Sequence, residues 1–397
     1  MGSEIVLSDV ITDIAAGPFG SNLKVSCFVP SGFPIIDGAN LKGFKVTDNL
    51  TKFVTEEKAR SLSRSIAKRG DVVVTISGTL GQISYIPEDS AYEEYLCSQR
   101  QFKVTFDTSK VYVPYLVFYF HTREGRGKLL AFANQTGVPA LAQPTKNFKR
   151  ITLELPELEQ QRKIALIAEL LTAKIEANAK LNGYLEEIGK AIWRKAIETS
   201  GTSACIGDIA AEIVTGKTPS TKVPEYYGDK YPFITIPDMH SNVWLCSTER
   251  RLSETGNRAQ PKKLVPRGAV LVSCIATLGL VGIVQKPSHF NQQINAVVPA
   301  SEGDEFFLYY AMRSMTQALL GIGATGSATL NVNKSAFSQI EIPWLEGKAM
   351  VGFVQTVRPI FETIEVNSIE SLRLRKLSDS LLPKLMSGEI DVSKVMF

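Results

Sequence analysis

The sequence has few of the residues that build disulfide frameworks, metal sites and membrane spans. Its five cysteines are odd in number and form no C-x-x-C pair, which predicts reduced thiols in a cytoplasmic protein and argues against a zinc ribbon. No apolar run approaches the ~18 residues that a membrane span needs, and no secretory leader opens the chain, so we expect no membrane contact. The three histidines, His121, His240 and His289, are too scattered along the chain to predict a metal cluster.

Catalytic motifs are also missing. The chain has neither the Asn-Pro-Pro-Tyr type of motif found in methyltransferases nor a G-x-G-x-x-G nucleotide motif. Residues 211–218 match a relaxed phosphate-loop pattern, but such a loop needs a preceding strand, whereas Asp208 to Val214 has a helical pattern and Pro219 follows at once. We therefore predict a chain that is not an enzyme, with no catalytic residue, no metal and no cofactor of its own.

The charge balance permits nucleic-acid binding without demanding it. The net charge is +4, and the sequence pI is near 8.6. Residues 156–200 and 346–397 each contain 7 basic and 7 acidic residues. The positive excess therefore lies in residues 1–155 and 201–345, and the balanced segments have the pattern of solvated helices.

The most informative feature is an internal repeat. Arg69–Gly81 returns as Arg267–Gly279 and Pro34–Ile36 as Pro232–Ile234, both 198 residues later. Each copy mixes short apolar runs with Gly, Pro, Asn and Ser, and one internal helix per copy is predicted, at 113–121 and 305–312. The repeat predicts two α/β (α+β) domains related by a pseudo-two-fold axis, because so long a unit does not form a solenoid.

Each copy is followed by a helical pattern with a period of 3.6 residues. The predicted domains are 1–155 and 201–345, and the helices are 156–200 and 346–397. An apolar stripe on each helix needs a partner, so we predict that the two pair antiparallel as a coiled-coil spacer. The stripe of the first helix is predicted to include Leu181 and Ile188. The residues predicted to pair are Leu171, Asn178, Leu185, Ile360, Asn367 and Leu374.

Asn178 and Asn367 occupy equivalent positions in the repeat and invite two interpretations. A buried asparagine in a helical seam costs stability but fixes the register of the pair. Alternatively, each asparagine faces solvent at a helix bend. The sequence leaves both interpretations open.

Several motifs, taken in order, resemble one family. The motifs in the first copy and its helix are Gly17–Ser21, Phe53–Ala59, Gly70–Val72, Ser77–Gly81 and Leu155–Ile164, followed by Asn178, Leu181 and Leu185. The motifs in the second copy and its helix are Gly216–Ser220, Thr325–Asn331 and Leu381–Ile390. Together they resemble the specificity subunits of type I restriction-modification systems. The second helix departs from the pattern, because Pro343–Lys348 lacks the Glu-Gln pair seen at Glu159 and Gln160.

The resemblance implies a DNA-reading subunit without chemistry of its own. Each copy would be a target recognition domain that binds one half of a split double-stranded DNA sequence. The helices would set the gap between the halves and dock two methyltransferase subunits that carry S-adenosylmethionine. Restriction/translocase subunits, which use ATP and Mg, would complete the complex.

Candidate DNA contacts fall into three groups. The glycine turns after an apolar strand suit phosphate, while Gln and Arg can each bond a base edge twice. Polar residues also follow a strand at equivalent places in the two copies, as Asn40 and Lys42 and as Asp238 and His240. The other candidates are Ser77, Thr79, Gln82, Gln99, Arg100, Gln101, Thr136, Thr277, Gln292, Gln293, Thr325, Ser327 and Asn331.

Each group also has a structural interpretation, as strand-end turns or polar residues flanking a strand. Two other functions remain open at this point: a metal-dependent nuclease and a coiled-coil scaffold that binds only proteins. The target bases and the gap length are not encoded in any recognisable pattern.

Overall fold

The computed structural model describes residues 2–134, 138–240, 242–275, 277–316 and 332–392. They form two compact units, and each contains one copy of the repeat with a segment of each of two long helices. The first unit takes residues up to 173 and from 375 onward, and the second takes residues 174–374. The predicted fold class is confirmed. None of the helices in these ranges combines the length and apolar character that crossing a membrane requires.

The first repeat is built on two four-stranded sheets. Its strands are β1 (Ser3–Val6), β2 (Ile11–Ala16), β3 (Phe33–Ile36), β4 (Phe53–Val54), β5 (Ile66–Lys68), β6 (Val72–Thr75), β7 (Ile83–Tyr85), β8 (Glu94–Cys97), β9 (Gln101–Phe106), β10 (Ala133–Asn134), β11 (Ala140–Leu141) and β12 (Thr152–Leu155). One sheet has the order β2-β9-β6-β7, and the other has the order β4-β3-β8-β5. Strand pairs β1-β12 and β10-β11 complete the repeat.

The central strand β6 is an apolar run because both of its faces are buried. Val72 and Val74 lie in the main core, and Val73 lies in a second core with Tyr95. Alternate residues of a strand point to opposite faces, so one strand serves two cores. The helices of this repeat are α1 (Glu56–Ser61), α2 (Val113–His121), α3 (Arg123–Leu130) and α4 (Pro144–Lys149).

The second repeat has a similar order of elements, with ten described strands where the first repeat has twelve. Its strands are β13 (Thr202–Cys205), β14 (Ala210–Thr215), β15 (Tyr227–Ile234), β16 (Trp244–Leu245), β17 (Arg250–Leu252), β18 (Val270–Ser273), β19 (Val281–Val284), β20 (His289–Phe290), β21 (Ile294–Pro299) and β22 (Glu341–Trp344). The main sheet has the order β14-β21-β18-β19-β16, beside a sheet β17-β15-β20 and a pair β13-β22. The prediction that Asp208 to Val214 is helical is wrong, because β14 covers most of it and pairs with β21.

Short helices connect these strands. The α-helices of the second repeat are α6 (Ile206–Ile209), α7 (Ile236–Met239), α8 (Glu254–Arg258), α9 (Asp304–Ser314) and α10 (Lys334–Ser338). The single 3-10 turns of both repeats are Leu7–Asp9, Val25–Cys27, Gly38–Asn40, Ser63–Ser65, Pro224–Tyr226 and Pro261–Lys263. Helices α2 and α9 confirm the internal helices predicted at 113–121 and 305–312, and their aromatic side chains are buried.

The long helices are α5 (Leu158–Ser200) and α11 (Gly347–Met386). In the first unit, Ile164 and Ala168 of α5 share the main core with Leu382 and Leu385 of α11. The side chain of Gln161 is fully buried and fixes the first turns of α5. Its amide donates to the carbonyl oxygens of Lys110 (3.0 Å) and Pro156 (2.8 Å) and accepts from the backbone N–H of Tyr112 (2.8 Å).

In the second unit, a polar layer joins α5 to α11. Asn178 is 3% exposed, and its amide donates to the Asn367 carbonyl oxygen (3.4 Å) and to Glu370 Oε2 (2.8 Å). Asn367 Nδ2 in turn donates to Asn182 Oδ1 (2.8 Å). Later residues of α5 thus meet earlier residues of α11, so the two segments run antiparallel. Asn178 and Asn367 are both buried, which excludes the solvent-facing interpretation, while the register role stays a prediction.

Burial corrects the predicted stripe of α5. Leu181 and Ile188 are exposed, whereas the neighbouring Asn182 and Gly189 face the packed side. A Cβ on Gly189 would lie 2.3 Å from the Tyr310 hydroxyl, so the helix needs glycine there to let the tyrosine approach. Leu185 and Ile360 pack against the core of the second unit, and Leu171 and Leu374 are half-buried.

Candidate nucleic-acid interface

In the first unit, a cleft of about 530 Å³ opens where three strands end or begin, and we call it the first cleft. Strands β6 and β9 are antiparallel, with Thr75 opposite Gln101, so the end of β6 meets the start of β9. The end of β3 adjoins them through Asp37. Six of the predicted DNA contacts line this cleft: Ser77, Thr79, Gln82, Gln99, Arg100 and Gln101.

Two of these six side chains are engaged within the protein. Gln82 Nε2 donates to the Gly38 carbonyl oxygen (2.9 Å), and its Oε1 accepts from the Thr75 hydroxyl (3.0 Å). Gln101 is 1% exposed, and its Oε1 accepts from the Ser98 hydroxyl. These glutamines therefore build the floor of the cleft, and base contact by Gln101 is excluded by its burial.

The rim of the first cleft carries side chains that are free to bind. Gln99, Arg100 and Thr79 are exposed, and the Arg100 guanidinium forms no hydrogen bond or ion pair with any described residue. The Ile76 N–H donates to the Arg100 carbonyl oxygen at 2.7 Å, which fixes the backbone from which this side chain projects. Gly78, between Ser77 and Thr79, has φ = +95°, a conformation that favours glycine.

A second charged group on the rim is an ion pair. Lys52 Nζ lies 2.5 Å from Asp37 Oδ2. Burial alone would raise the pKa of Asp37, but hydrogen bonds from Lys52 and from the Ala39 N–H hold it below its usual value. The pair leaves Arg100 as a cation on this rim without a carboxylate partner among the described residues.

Asn40 and Asp238 are capping residues, which corrects their assignment to DNA contact. Asn40 is buried, accepts from the Asp37 N–H (3.1 Å) and donates to the Thr47 and Asn49 carbonyl oxygens. Asp238 accepts from the Thr235 N–H (2.8 Å) and from the Glu249 N–H (3.0 Å). Both close a capping box on the turn after a strand, so their equivalence in the repeat reflects shared scaffold.

The neighbours of these caps are available at the surface. Lys42 and His240 are exposed, and neither side chain bonds to another described residue. Thr136, Thr325, Ser327 and Asn331 lie outside the described residues.

Backbone hydrogen bonds align the second repeat with the first cleft. The Cys274 N–H donates to the Gln293 carbonyl oxygen at 2.8 Å, the counterpart of the bond from Ile76 to Arg100. Gln293 therefore occupies the place of Arg100, and Leu280, 198 residues after Gln82, replaces that glutamine. The backbone frame is retained while the side chains differ.

The polar residues of the second repeat are partly engaged. Gln292 is exposed, and its Oε1 accepts from the Thr218 hydroxyl (2.6 Å). Gln293 Oε1 accepts from Asn291 Nδ2 (3.0 Å). Thr277 is exposed and forms no side-chain bond within the described ranges. Each glutamine keeps its amide N–H donors for another partner.

A family model described as the type I restriction modification DNA specificity domain matches the chain twice, over residues 30–187 and 202–357. The chain belongs to this family. The two matched ranges fall on the two repeats and continue into the long helices, as the motif order predicts. The predicted family is therefore confirmed.

Two relatives with similar sequences agree with this family assignment. The specificity subunit of the type I restriction enzyme HindI from Haemophilus influenzae is 40% identical over 254 residues, 60% of this chain and 55% of that protein. The MjaIX specificity subunit from Methanocaldococcus jannaschii is 28% identical over 136 residues, 34% of this chain and 32% of that protein. The chain thus matches about half of the first relative's length and a third of the second's.

A solved structure shares the fold. The crystal structure of a type I restriction-modification S subunit from M. genitalium matches with a TM-score of 0.61 at 13% identity, covering 97% of this chain and 96% of that one. This similarity extends over both repeats and both long helices.

Two exposed apolar residues, Phe19 and Val25, in the loop that follows β2 were missed from the sequence. Phe19 and Val25 are each 81% exposed, and Val25 lines the first cleft. Exposed apolar side chains can contact the methyl group of thymine in the major groove. The only sign of these two residues in the sequence was an apolar residue within a loop rich in Gly, Pro, Asn and Ser, and such a residue is also compatible with ordinary packing.

Within the described ranges, no three His, Cys, Asp or Glu residues are grouped to hold a metal.

Proposed function

We propose that this chain is the DNA sequence-specificity subunit of a type I restriction-modification complex. Each repeat reads one half of a split double-stranded DNA sequence, and the chain performs no chemistry itself. The observation that carries this proposal is the retained backbone frame with exchanged side chains, because Arg100 and Gln293 stand at one position of the two repeats. A shared frame suits the common DNA backbone, and different side chains suit different bases.

The rim of the first cleft has the chemistry of a base reader. Arg100 is a fork of N–H donors without a protein partner among the described residues, and such a fork matches the O6 and N7 acceptors of guanine. Gln99 beside it and Gln292 in the second repeat can bond adenine. Thr79 and Thr277 lie on the glycine turns that suit phosphate.

The long helices provide surfaces for protein partners. In the second unit, Leu181, Tyr184 and Ile188 form an exposed apolar stripe on α5. Their spacing of three and four residues places them on one face of the helix. This stripe docks one of two methyltransferase subunits, which hold the S-adenosylmethionine. Restriction/translocase subunits, with ATP and Mg, join in the cytoplasm.

Duplex binding tests the proposed function. The chain, copurified with its methyltransferase subunits, is titrated with a duplex carrying both halves of the motif that is methylated in the cell, and with duplexes in which one half is scrambled. We expect the intact duplex to bind about a thousandfold more tightly than scrambled DNA, in the usual range of specific recognition. Equal affinity for all the duplexes would contradict the proposal.

Arg100 provides a sharper test of base reading. In Arg100→Ala we expect one position of one half-site to accept any base, with a loss of about 1–3 kcal/mol in discrimination. Arg100→Lys is the matched variant, because it keeps the charge but loses the bidentate fork. If Arg100→Ala and Arg100→Lys both keep the wild-type base preference, and Ala weakens all duplexes equally, Arg100 contacts phosphate instead. Methylation sequencing of cells carrying each variant reports the base preference.

A further inference from the structure

A second cleft in the first unit is lined by the loop that also borders the first cleft. It measures about 590 Å³, and Ser61, Ser63, Arg64 and Thr145 are among its lining residues. The loop contributes Gly17 to Phe19 to this second cleft and Leu23 and Val25 to the first. One loop thus contributes residues to both clefts.

Arg64 is held at the centre of a fixed turn. It is the middle residue of the 3-10 turn Ser63–Ser65, and the Ser65 hydroxyl donates to the Ala16 carbonyl oxygen at the end of β2 (3.0 Å). The Arg64 side chain is exposed and bonds to no described residue. The nearby carboxylate of Asp13 is neutralised by Lys103, whose Nζ lies 2.9 Å from Asp13 Oδ2. The Arg64 guanidinium therefore forms no hydrogen bond or ion pair with a described residue, although its charge helps Lys103 to hold the pKa of Asp13 below its usual value.

The second repeat keeps this charge at the same place. Its 3-10 turn Pro261–Lys263 follows α8 as Ser63–Ser65 follows α1, and Lys262 occupies the position of Arg64. This turn is also held near the end of a strand, β14, because Gln260, the residue before the turn, donates its Nε2 to the Lys217 carbonyl oxygen (3.1 Å). Lys262 is exposed and free of hydrogen bonds and ion pairs within the described ranges.

Two more lysines replace neutral residues of the second cleft in the second repeat. Lys217 stands at the position of Pro18, one residue after Gly216, the glycine that follows β14. Lys334 stands at the position of Thr145, because each lies three residues before the buried phenylalanine of its helix, Phe337 or Phe148. Both lysines are exposed.

The retained charge contrasts with the exchanged rim. The position held by Arg100 in the first repeat holds the neutral Gln293 in the second. The position held by Arg64 holds Lys262, so the positive charge is kept. The DNA backbone presents the same negative charge to both repeats, while the bases differ. A position that is basic in both repeats, as Arg in one and Lys in the other, is suited to a phosphate, which needs charge and not a bidentate fork.

On these grounds we propose that the turns centred on Arg64 and Lys262 are paired phosphate-binding sites that grip the DNA backbone beside each half-site. This inference rests on the proposed function. It assigns the two turns a sequence-independent role, distinct from the base reading by the first cleft.

The test is the salt dependence of duplex binding by Arg64→Gln, Lys262→Gln and the double variant, each copurified with its methyltransferase subunits. Each removed phosphate contact lowers the slope of log affinity against log salt by about 0.9, so the double variant should lose about 1.8. The methylated motif should not change. Arg123→Gln is the matched control, because Arg123 on α3 is also exposed and forms no hydrogen bond or ion pair with a described residue, and it should leave the slope unchanged.

The outcomes separate this inference from the proposed function. If the wild-type complex shows no sequence preference, the proposed function fails. If the wild type is specific but the slopes of Arg64→Gln and Lys262→Gln equal that of Arg123→Gln, the phosphate sites are refuted. A change of one base in the methylated motif would also overturn the inference, since it would make Arg64 or Lys262 a base reader.

Discussion

A chain carrying Leu181→Asp and Tyr184→Asp is expected to lose its methyltransferase subunits. The two side chains are 44% and 59% exposed, and with Ile188 at 52% they form the apolar stripe of α5 in the second unit. Large apolar and aromatic residues at the centre of an interface each contribute about 2 kcal/mol or more, so we expect the affinity to fall on the order of a thousandfold.

The change should leave the fold intact. Leu181 and Tyr184 lie on a different face of α5 from Asn178, Asn182 and Leu185, which face α11 or the core of the second unit. Substituting exposed positions away from those contacts costs little stability. The unfolding temperature of the variant should therefore match that of the wild type.

Copurification with a tagged methyltransferase subunit measures the loss. Ala179→Asp is the matched control, because it adds a charge to an exposed position on α5 away from the stripe, and it should copurify normally. Normal copurification of the double variant would place the methyltransferase elsewhere on the chain.

The same stripe explains which part of the helix pairing could not be predicted. Apolar periodicity marked Leu181 and Ile188 for burial within the chain, whereas they are exposed and Asn182 and Gly189 face inward. A sequence pattern reports that a face is apolar without saying what covers it. A helix with one face toward its own chain and another toward a partner therefore gives two overlapping stripes.

The positions of buried strands and helices were predicted well from the sequence, because burial requires apolar residues there. Strand β6 and helices α2 and α9 consist mainly of apolar residues because they pack inside apolar cores. The internal repeat then identified the equivalent element of the other copy. Strand β14 was assigned wrongly as a helix, because Ala210–Thr215 has too few buried residues for its alternation to show.

The candidate site was predicted only in part, for a related reason. Polar residues after a strand either bind a ligand or cap the next turn, and the sequence pattern does not distinguish the two roles. Asn40 and Asp238 are caps, whereas Gln99 and Arg100 project from the rim of the first cleft. Arg64 and Lys262 were missed because a single basic residue in a turn has no pattern until the structure places the two copies in the same backbone frame.

The central claim is that two repeats of one chain read two halves of one DNA sequence. Methylation sequencing of the genome in cells with and without this chain tests it most directly, because the modified motif is observed directly whatever the target bases are. We predict a split, asymmetric motif with an unspecified gap, which disappears when the chain is deleted and returns when it is restored. A methylation pattern that is unchanged by the deletion, or a lost motif that is contiguous, would contradict the account.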